Sequence, residues 1–282
     1  MRHLTINLGG QLMDLRMPKV MGIVNATPDS FYSGSRISGE EAIRSRIDQI
    51  VNEGGAIVDV GGYSSRPSAA DVSCREEMER LRPVLKVLRD EYPSLPISVD
   101  TFRADVARMS VEEYGACIVN DISGGELDPE MYPTVARLGV PYILMHMRGT
   151  PKTMQQLCEY KDIAIDILDY FTQRCDRLLS LGVKDIILDP GYGFAKTLEQ
   201  NYELMARQRE ACDLLGRPVL VGISRKSMIY QLLGNTAAES LNGTTVLNTY
   251  ALLQGANILR VHDVRAAVEA TRIVSHLQQA HS

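Results

Sequence analysis

The stretch 256-ANILRVHDV-264 decides the fold. It reads as a short apolar strand in which Ile258, Arg260 and His262 share one face, because residues two apart in a strand point the same way. Two basic side chains on an inner face are costly unless something anionic meets them. The run is also the last of eight of its kind. Working back along the chain, the others are 20-VMGIVNA-26, 56-AIVDVGG-62, 97-ISVDT-101, 117-CIVNDI-122, 142-YILMHM-147, 185-DIILDPG-191 and 218-PVLVGIS-224. Amphipathic segments such as 40-EEAIRSRIDQIVNEGG-55 and 75-REEMERLRPVLKVLRDEY-92 lie between them. In the first, Ile43, Ile47, Ile50 and Val51 recur near the helical period, and Gly54 and Gly55 mark its stop.

Strands alternating with helices predict a parallel α/β sheet. Eight such units predict a closed (β/α)8 TIM barrel, which typically takes about 250 residues. An open doubly wound sheet is the rival, but no G-x-G-x-x-G follows the first strand. The opening 4-LTINLGGQLMDL-15 reads as a β-hairpin around Gly9-Gly10, expected to cover the barrel bottom. No linker or low-complexity segment interrupts the chain, so residues 1–282 are read as a single domain.

A hydrophobic content of 45% and a formal charge of −5 describe a soluble globular protein with little tendency to bind nucleic acid non-specifically. No run is long enough to span a membrane, and no signal pattern opens the chain. The five cysteines are scattered and read as reduced thiols of a cytoplasmic protein. No zinc-ligand spacing and no G-x-S-x-G elbow occurs.

The strands end in polar residues: Asn25, Asp59, Asp100, Asn120, His146, Asp189, Ser224, then Arg260 and His262. Any one of them could cap a helix or shape a turn. Together, at the face where barrels of this kind carry their sites, they predict a polar pocket. Buried Asp100 and Asp189 need donors, which a guanidine-like ring edge supplies. Arg225 and Lys226 in 222-GISRKS-227 open a helix after the seventh strand, where phosphate sites recur. The anion expected at Arg260 and His262 is therefore a phosphate or pyrophosphate, with an internal salt bridge to a nearby acid as the alternative. The loops 25-NATPDSFYSGSRISG-39 and 61-GGYSSRPSAADVS-73 are expected to close over the mouth.

The motifs 24-VNATPDSF-31, 64-SSRP-67, 98-SVDT-101, 119-VNDISGG-125, 144-LMHMRGTPKTMQ-155, 188-LDPGYGFAKT-197, 221-VGISRKS-227 and 260-RVHDV-264 resemble, in order, those of the dihydropteroate synthases. The resemblance implies condensation of 6-hydroxymethyl-7,8-dihydropterin pyrophosphate with p-aminobenzoate, Mg²⁺ as cofactor, a homodimer, and inhibition by sulfonamides. It implies that Asp100, Asn120, Asp189 and Lys226 hold the pterin, with Met145, Phe194 and Gly222 lining its pocket. Asn25, Arg260 and His262 would bind pyrophosphate, Asn25 also lying near Mg²⁺. Ser65, Arg66 and Pro67, with Phe194 and Lys226, would form the p-aminobenzoate site, and Phe31 would help the first loop close. Lys226, Arg260, His262 and Asp100 are the expected catalytic residues. The chain departs from the family pattern at Ala26, Ser33, Tyr63, Ser65 and Ser68; Ser65 keeps the hydroxyl of the usual threonine. A pterin-binding methyltransferase domain and a non-catalytic pterin-binding paralogue are the alternatives.

Overall fold

Gly9 and Gly10 both take positive φ, 59° and 98°. Two left-handed residues in a row make the tight turn whose twist matches that of paired strands. They join β1 (Thr5–Leu8) to β2 (Gln11–Asp14), with Leu8 opposite Gln11. The computed structural model describes residues 4–26, 36–63 and 71–280. Within it the remaining strands are β3 (Lys19–Asn25), β4 (Ile57–Gly61), β5 (Ile97–Asp100), β6 (Ile118–Asp121), β7 (Tyr142–Met145), β8 (Ile186–Asp189), β9 (Leu220–Val221) and β10 (Ile258–Val261).

These eight strands pair in parallel in the order β8-β7-β6-β5-β4-β3-β10-β9. A parallel bridge between Leu188 and Val219, with Leu188 N–H donating to Pro218 O at 2.8 Å, joins the two ends. The sheet is thus a closed barrel, as the eightfold repeat predicts. Each apolar run yields a strand, although β9 is only two residues long.

Alternation along the strands separates two apolar cores. Outward residues such as Val58, Val99, Val119, Leu144, Leu188 and Leu259 pack under the surrounding helices. Inward residues at the strand starts, including Met21, Ile57, Ile118, Ile143, Ile187 and Ile258, form a plug with Ile6 and Leu15 of the hairpin region. The hairpin therefore covers the barrel bottom. Helix Arg36–Asn52 buries Ile43, Ile47 and Ile50 but leaves Val51 43% exposed. Val51 lies at the edge of the apolar stripe rather than within it. Gly55 is required where that helix ends: a Cβ there would stand 2.9 Å from Ile50 O and 2.5 Å from its Cγ2.

Asn257 ties the cap to the closure point. Its Nδ2 donates to Leu15 O at 3.0 Å and its Oδ1 accepts from Val219 N–H at 2.9 Å. Asn257→Ala strands both partners in a buried setting and is expected to cost about 1–3 kcal/mol in urea unfolding. A change below about 0.5 kcal/mol would show that the cap and closure do not depend on these bonds. Among the described residues no helix is long and apolar enough to cross a membrane, and the five cysteines are unpaired thiols.

Candidate active site

The plug leaves the upper half of the barrel to polar side chains. On β4 and β5, Asp59 lies opposite Ser98 and Gly61 opposite Asp100. A Cβ on Gly61 would sit 3.4 Å from that of Asp100, in ordinary van der Waals contact. Arg260 rises from β10 into this space. Its Nε donates to Asp59 Oδ2 at 2.6 Å and its Nη2 to Asp100 Oδ2 at 2.6 Å. Asn120 Nδ2 donates to the same Asp59 oxygen at 3.1 Å. The cation at the centre of 256-ANILRVHDV-264 is thus met first by two internal carboxylates. Arg260 nevertheless keeps 21% of its side chain exposed toward the mouth.

One guanidinium facing buried Asp59 and half-buried Asp100 leaves the two acids undercompensated. Burial pushes the Asp100 carboxyl up to about 7, against the pull of Arg260 and with some help from the Asp59 charge. Between roughly pH 4 and pH 7 the folded protein holds a proton here that the unfolded chain has lost. This carboxyl therefore makes stability fall as pH rises through that window. Carboxyl-labelled NMR should find a titration near pH 7 that vanishes in Asp100→Asn; a midpoint near 4 would mean that the Arg260 contact outweighs burial.

Across the mouth, Asp189 ends β8, 6% exposed, and accepts from Gly191 N–H at 2.8 Å. Its pKa is raised by burial, opposed by the Lys226 charge. Lys226 donates to Tyr192 O, and its ammonium lies 4.4 Å from the Phe194 ring centroid. Burial lowers its pKa to about 8, with Asp189 pulling the other way. Met145 and Phe194 belong to a small apolar cluster with Ile122, Met147 and Met154. Gly222 leaves space beside Arg260: a Cβ there would come no nearer than 3.9 Å to its side chain.

His262 and Ser224 meet at the rim, where Ser224 Oγ lies 3.1 Å from both His262 N and Nδ1. Desolvation by the surrounding protein, then the Arg260 charge, lowers the histidine pKa to about 4 although the residue still reaches solvent. Asn25 ends β3 with its side chain exposed. Phe31, Ser65, Arg66 and Pro67 lie outside the described residues, as do Ser33 and Ser68. Tyr63 is described: its ring stands edge-on to Phe102 at 5.1 Å, with the Arg103 guanidinium 5.7 Å from its centroid.

Two expectations are corrected. His146 does not line the pocket. With Met145 facing inward, strand alternation turns His146 outward, where it is 1% exposed and lies against Tyr170 and Lys196. Arg225 does not read an anion. Its guanidinium is held in a fork by Asp263, at 2.8 Å through both Nε and Nη2, and also donates to Ala237 O and Ala238 O. Its φ of 56° sends Lys226 to the mouth and Arg225 to the side. The sequence reading missed Asp59 as the hub joining Arg260 to Asn120, and gave Lys196 no part; alternation already pointed to Asp59, two residues after inward Ile57.

Among the described residues no cluster of three His, Cys, Asp or Glu side chains could hold a metal. An ion here would need oxygen ligands from elsewhere. Mg²⁺ commonly takes one or two protein oxygens and completes its shell with water and substrate phosphate. The exposed Asn25 amide at the mouth fits that pattern.

Comparison with known proteins agrees with this geometry. The chain matches the pterin binding enzyme family over residues 21–262. It is 42% identical over 267 residues to a dihydropteroate synthase of Escherichia coli, covering 94% of this chain and 93% of that protein. It is 43% identical over 261 residues to the Synechocystis dihydropteroate synthase, covering 92% and 89%. The Yersinia pestis dihydropteroate synthase, solved with a sulfonamide drug, superposes with a TM-score of 0.90 at 38% identity over 98% of this chain and 99% of that one. The Xanthomonas albilineans dihydropteroate synthase, solved with 4-aminobenzoic acid, gives 0.89 at 35% identity over 98% of both. A barrel whose mouth joins two acids to one arginine, and more than nine-tenths of whose length aligns with these enzymes, belongs to the pterin-binding family as a dihydropteroate synthase.

Proposed function

We infer that the protein condenses 6-hydroxymethyl-7,8-dihydropterin pyrophosphate with p-aminobenzoate, giving 7,8-dihydropteroate and pyrophosphate in folate synthesis. The observation that carries this reading is the Arg260 hub, a cation held by Asp59 and Asp100 yet open to the mouth, in the same polar half of the barrel as Asp189 and Lys226. Asp189, Asp100 and Asn120 would take the polar edge of the pterin. Met145, Phe194 and Gly222 would flank its ring. Arg260, His262 and Asn25 would meet the pyrophosphate. The relatives solved with a sulfonamide and with 4-aminobenzoic acid support the aromatic amine and its mimics as ligands. Ser65, Arg66, Pro67 and Phe31 enter the proposal on the motif resemblance alone.

The reaction then follows from charge placement. The C–O bond at the exocyclic carbon breaks, and its electron pair leaves with the pyrophosphate. The electron-rich dihydropterin ring spreads the positive charge left on that carbon. Arg260 stabilises the departing anion, and Lys226 lies beside the ring it has left. The aromatic amine attacks and then loses its proton. It is already neutral near pH 7, so no strong base is demanded. Asn25 is the residue that would hold a Mg²⁺ ion, which would supply positive charge to the leaving group; chelation should weaken binding of the pyrophosphate ester and spare that of unphosphorylated hydroxymethylpterin.

A turnover assay with both substrates, following pyrophosphate release, tests the whole reading. Pterin binding without turnover would overturn it in favour of a non-catalytic protein. A homodimer and a cytoplasmic location are part of the proposal. Leu241, Val246, Tyr250 and Leu253 on helix Leu241–Leu253, with Ile273 on helix Val264–Gln279, leave an exposed apolar surface that a second copy would cover. A monomeric mass in sedimentation would exclude the dimer.

A further inference from the structure

Lys196 is a buried lysine for which the mechanism above has no use. It is 3% exposed and lies behind the loop that follows β8. Its Nζ donates to Gly191 O at 2.9 Å and Phe194 O at 3.0 Å, and stands 3.0 Å from His146 Nδ1. Three acceptors match the three N–H bonds of the ammonium, the form that burial disfavours by lowering the Lys196 pKa to about 7, with the Asp189 charge pulling the other way. Burial and the neighbouring lysine charge keep His146 neutral, so Nδ1 can accept. The ring is held in turn edge-on to Tyr170, 4.7 Å between centroids.

The loop needs such restraint. Gly191, Ala195 and Gly193 all have positive φ, at 68°, 49° and 82°. Ala195 has no glycine freedom, so its left-handed backbone must be imposed by surroundings. A Cβ on Gly191 would lie 2.0 Å from His146 O, so the loop also presses directly on the end of β7. Further side chains pin it: Tyr160 OH donates to Ala195 O at 2.8 Å, and Gly193 N–H donates to Asn201 Oδ1 at 2.7 Å. On its other side the loop presents the Phe194 ring and the Tyr192 carbonyl, both of which hold Lys226.

We propose that Lys196, backed by His146, is a positioning residue that locks the Gly191–Lys196 loop from behind, so that Phe194 and the Tyr192 carbonyl fix Lys226 and form a rigid wall for the aromatic amine. The proposal rests on the dihydropteroate synthase reading. Lys196 touches no substrate and acts through the loop. One wall of the site is then built before any substrate arrives, because its conformation is maintained by side chains of the barrel itself.

The test pairs kinetics with hydrogen exchange in Lys196→Met, which keeps the apolar stem and removes all three donors. Amides in 190–197 should exchange at least tenfold faster, with the barrel strands unchanged. KM for p-aminobenzoate should rise about tenfold, with a smaller rise, under threefold, for the pterin ester, which Phe194 and Lys226 also touch but which Asp100, Asn120 and Asp189 hold from the strands. Unchanged exchange in the loop overturns the clamp. Faster exchange with no selective rise in the p-aminobenzoate KM overturns its role in placing the amine. His146→Asn and His146→Leu guard against a fold that fails in Lys196→Met. The asparagine keeps an acceptor near the Nδ1 position and should protect the loop as wild type does, whereas the leucine should loosen it; equal behaviour of the two overturns the histidine's part. Exchange is read without turnover, so a wild-type protein that failed to make dihydropteroate would sink the function while leaving the loop result standing.

Discussion

Arg260→Ala is expected to weaken binding of the pyrophosphate ester by about 30-fold to a few thousand-fold, the range for truncating one partner of a buried, hydrogen-bonded charge pair at about 2–5 kcal/mol. Unphosphorylated hydroxymethylpterin should lose much less. The same change should lower stability. Asp59 is fully buried, its Oδ1 has no hydrogen-bond partner, and Arg260 supplies the only cation bonded to its Oδ2 among the described residues. An uncompensated buried charge of this kind costs about 3–5 kcal/mol. The two effects separate in the double variant Arg260→Ala with Asp59→Asn. Neutralising Asp59 should recover part of the stability and none of the ester affinity. Calorimetry with both ligands decides the matter: equal losses for ester and alcohol would make Arg260 a brace for the acids and remove it from anion recognition. Arg260→Lys should fall between, since a single ammonium cannot span both carboxylates as the planar fork does.

How much of this was legible in the sequence depends on the physical level concerned. The barrel was legible because each strand is an apolar run with its own turn, and eight of them leave no edge to account for. The hairpin was legible because two adjacent glycines between alternating runs have one favoured turn. Arg260 was correctly placed on an inner face by spacing alone, but its partners Asp59 and Asp100 lie 201 and 160 residues away in sequence. No local pattern could say that they share one guanidinium. His146 was misplaced for a different reason. Residues at strand ends were grouped by polarity, whereas alternation separates 145 from 146; the inward Met145 already implied an outward His146. Arg225 and Lys226 look equivalent in 222-GISRKS-227, and only a left-handed backbone at Arg225, with Asp263 to receive it, divides them. Lys196 was invisible because its acceptors are mostly backbone carbonyls, which every residue possesses.

Asp189→Asn carries the other large effect, and its consequences reach beyond the lost charge. The amide oxygen can still accept from Gly191 N–H, so the loop conformation should survive. The other oxygen becomes a donor facing a ring edge that itself offers N–H groups. Two donors then face each other in a buried site, and the loss should again be about 2–5 kcal/mol, or roughly 30-fold to a few thousand-fold in pterin affinity. Lys226 changes too. Burial has already lowered its pKa to about 8, and the Asp189 charge is the first influence holding it up. Without that charge the pKa falls further, so the ammonium is lost at lower pH. The sign is fixed: a lysine with a depressed pKa gives up its proton as pH rises through the folded value. The alkaline limb of kcat/KM for the pterin ester should therefore move toward neutrality in Asp189→Asn, while binding weakens at every pH. Calorimetry from pH 6 to 9, alongside the rate profile, measures both. Near-native pterin affinity would remove Asp189 from the ring edge. A weakened affinity with an unmoved alkaline limb would keep it there but break its link to Lys226, and the pKa that governs that limb would then belong to another group.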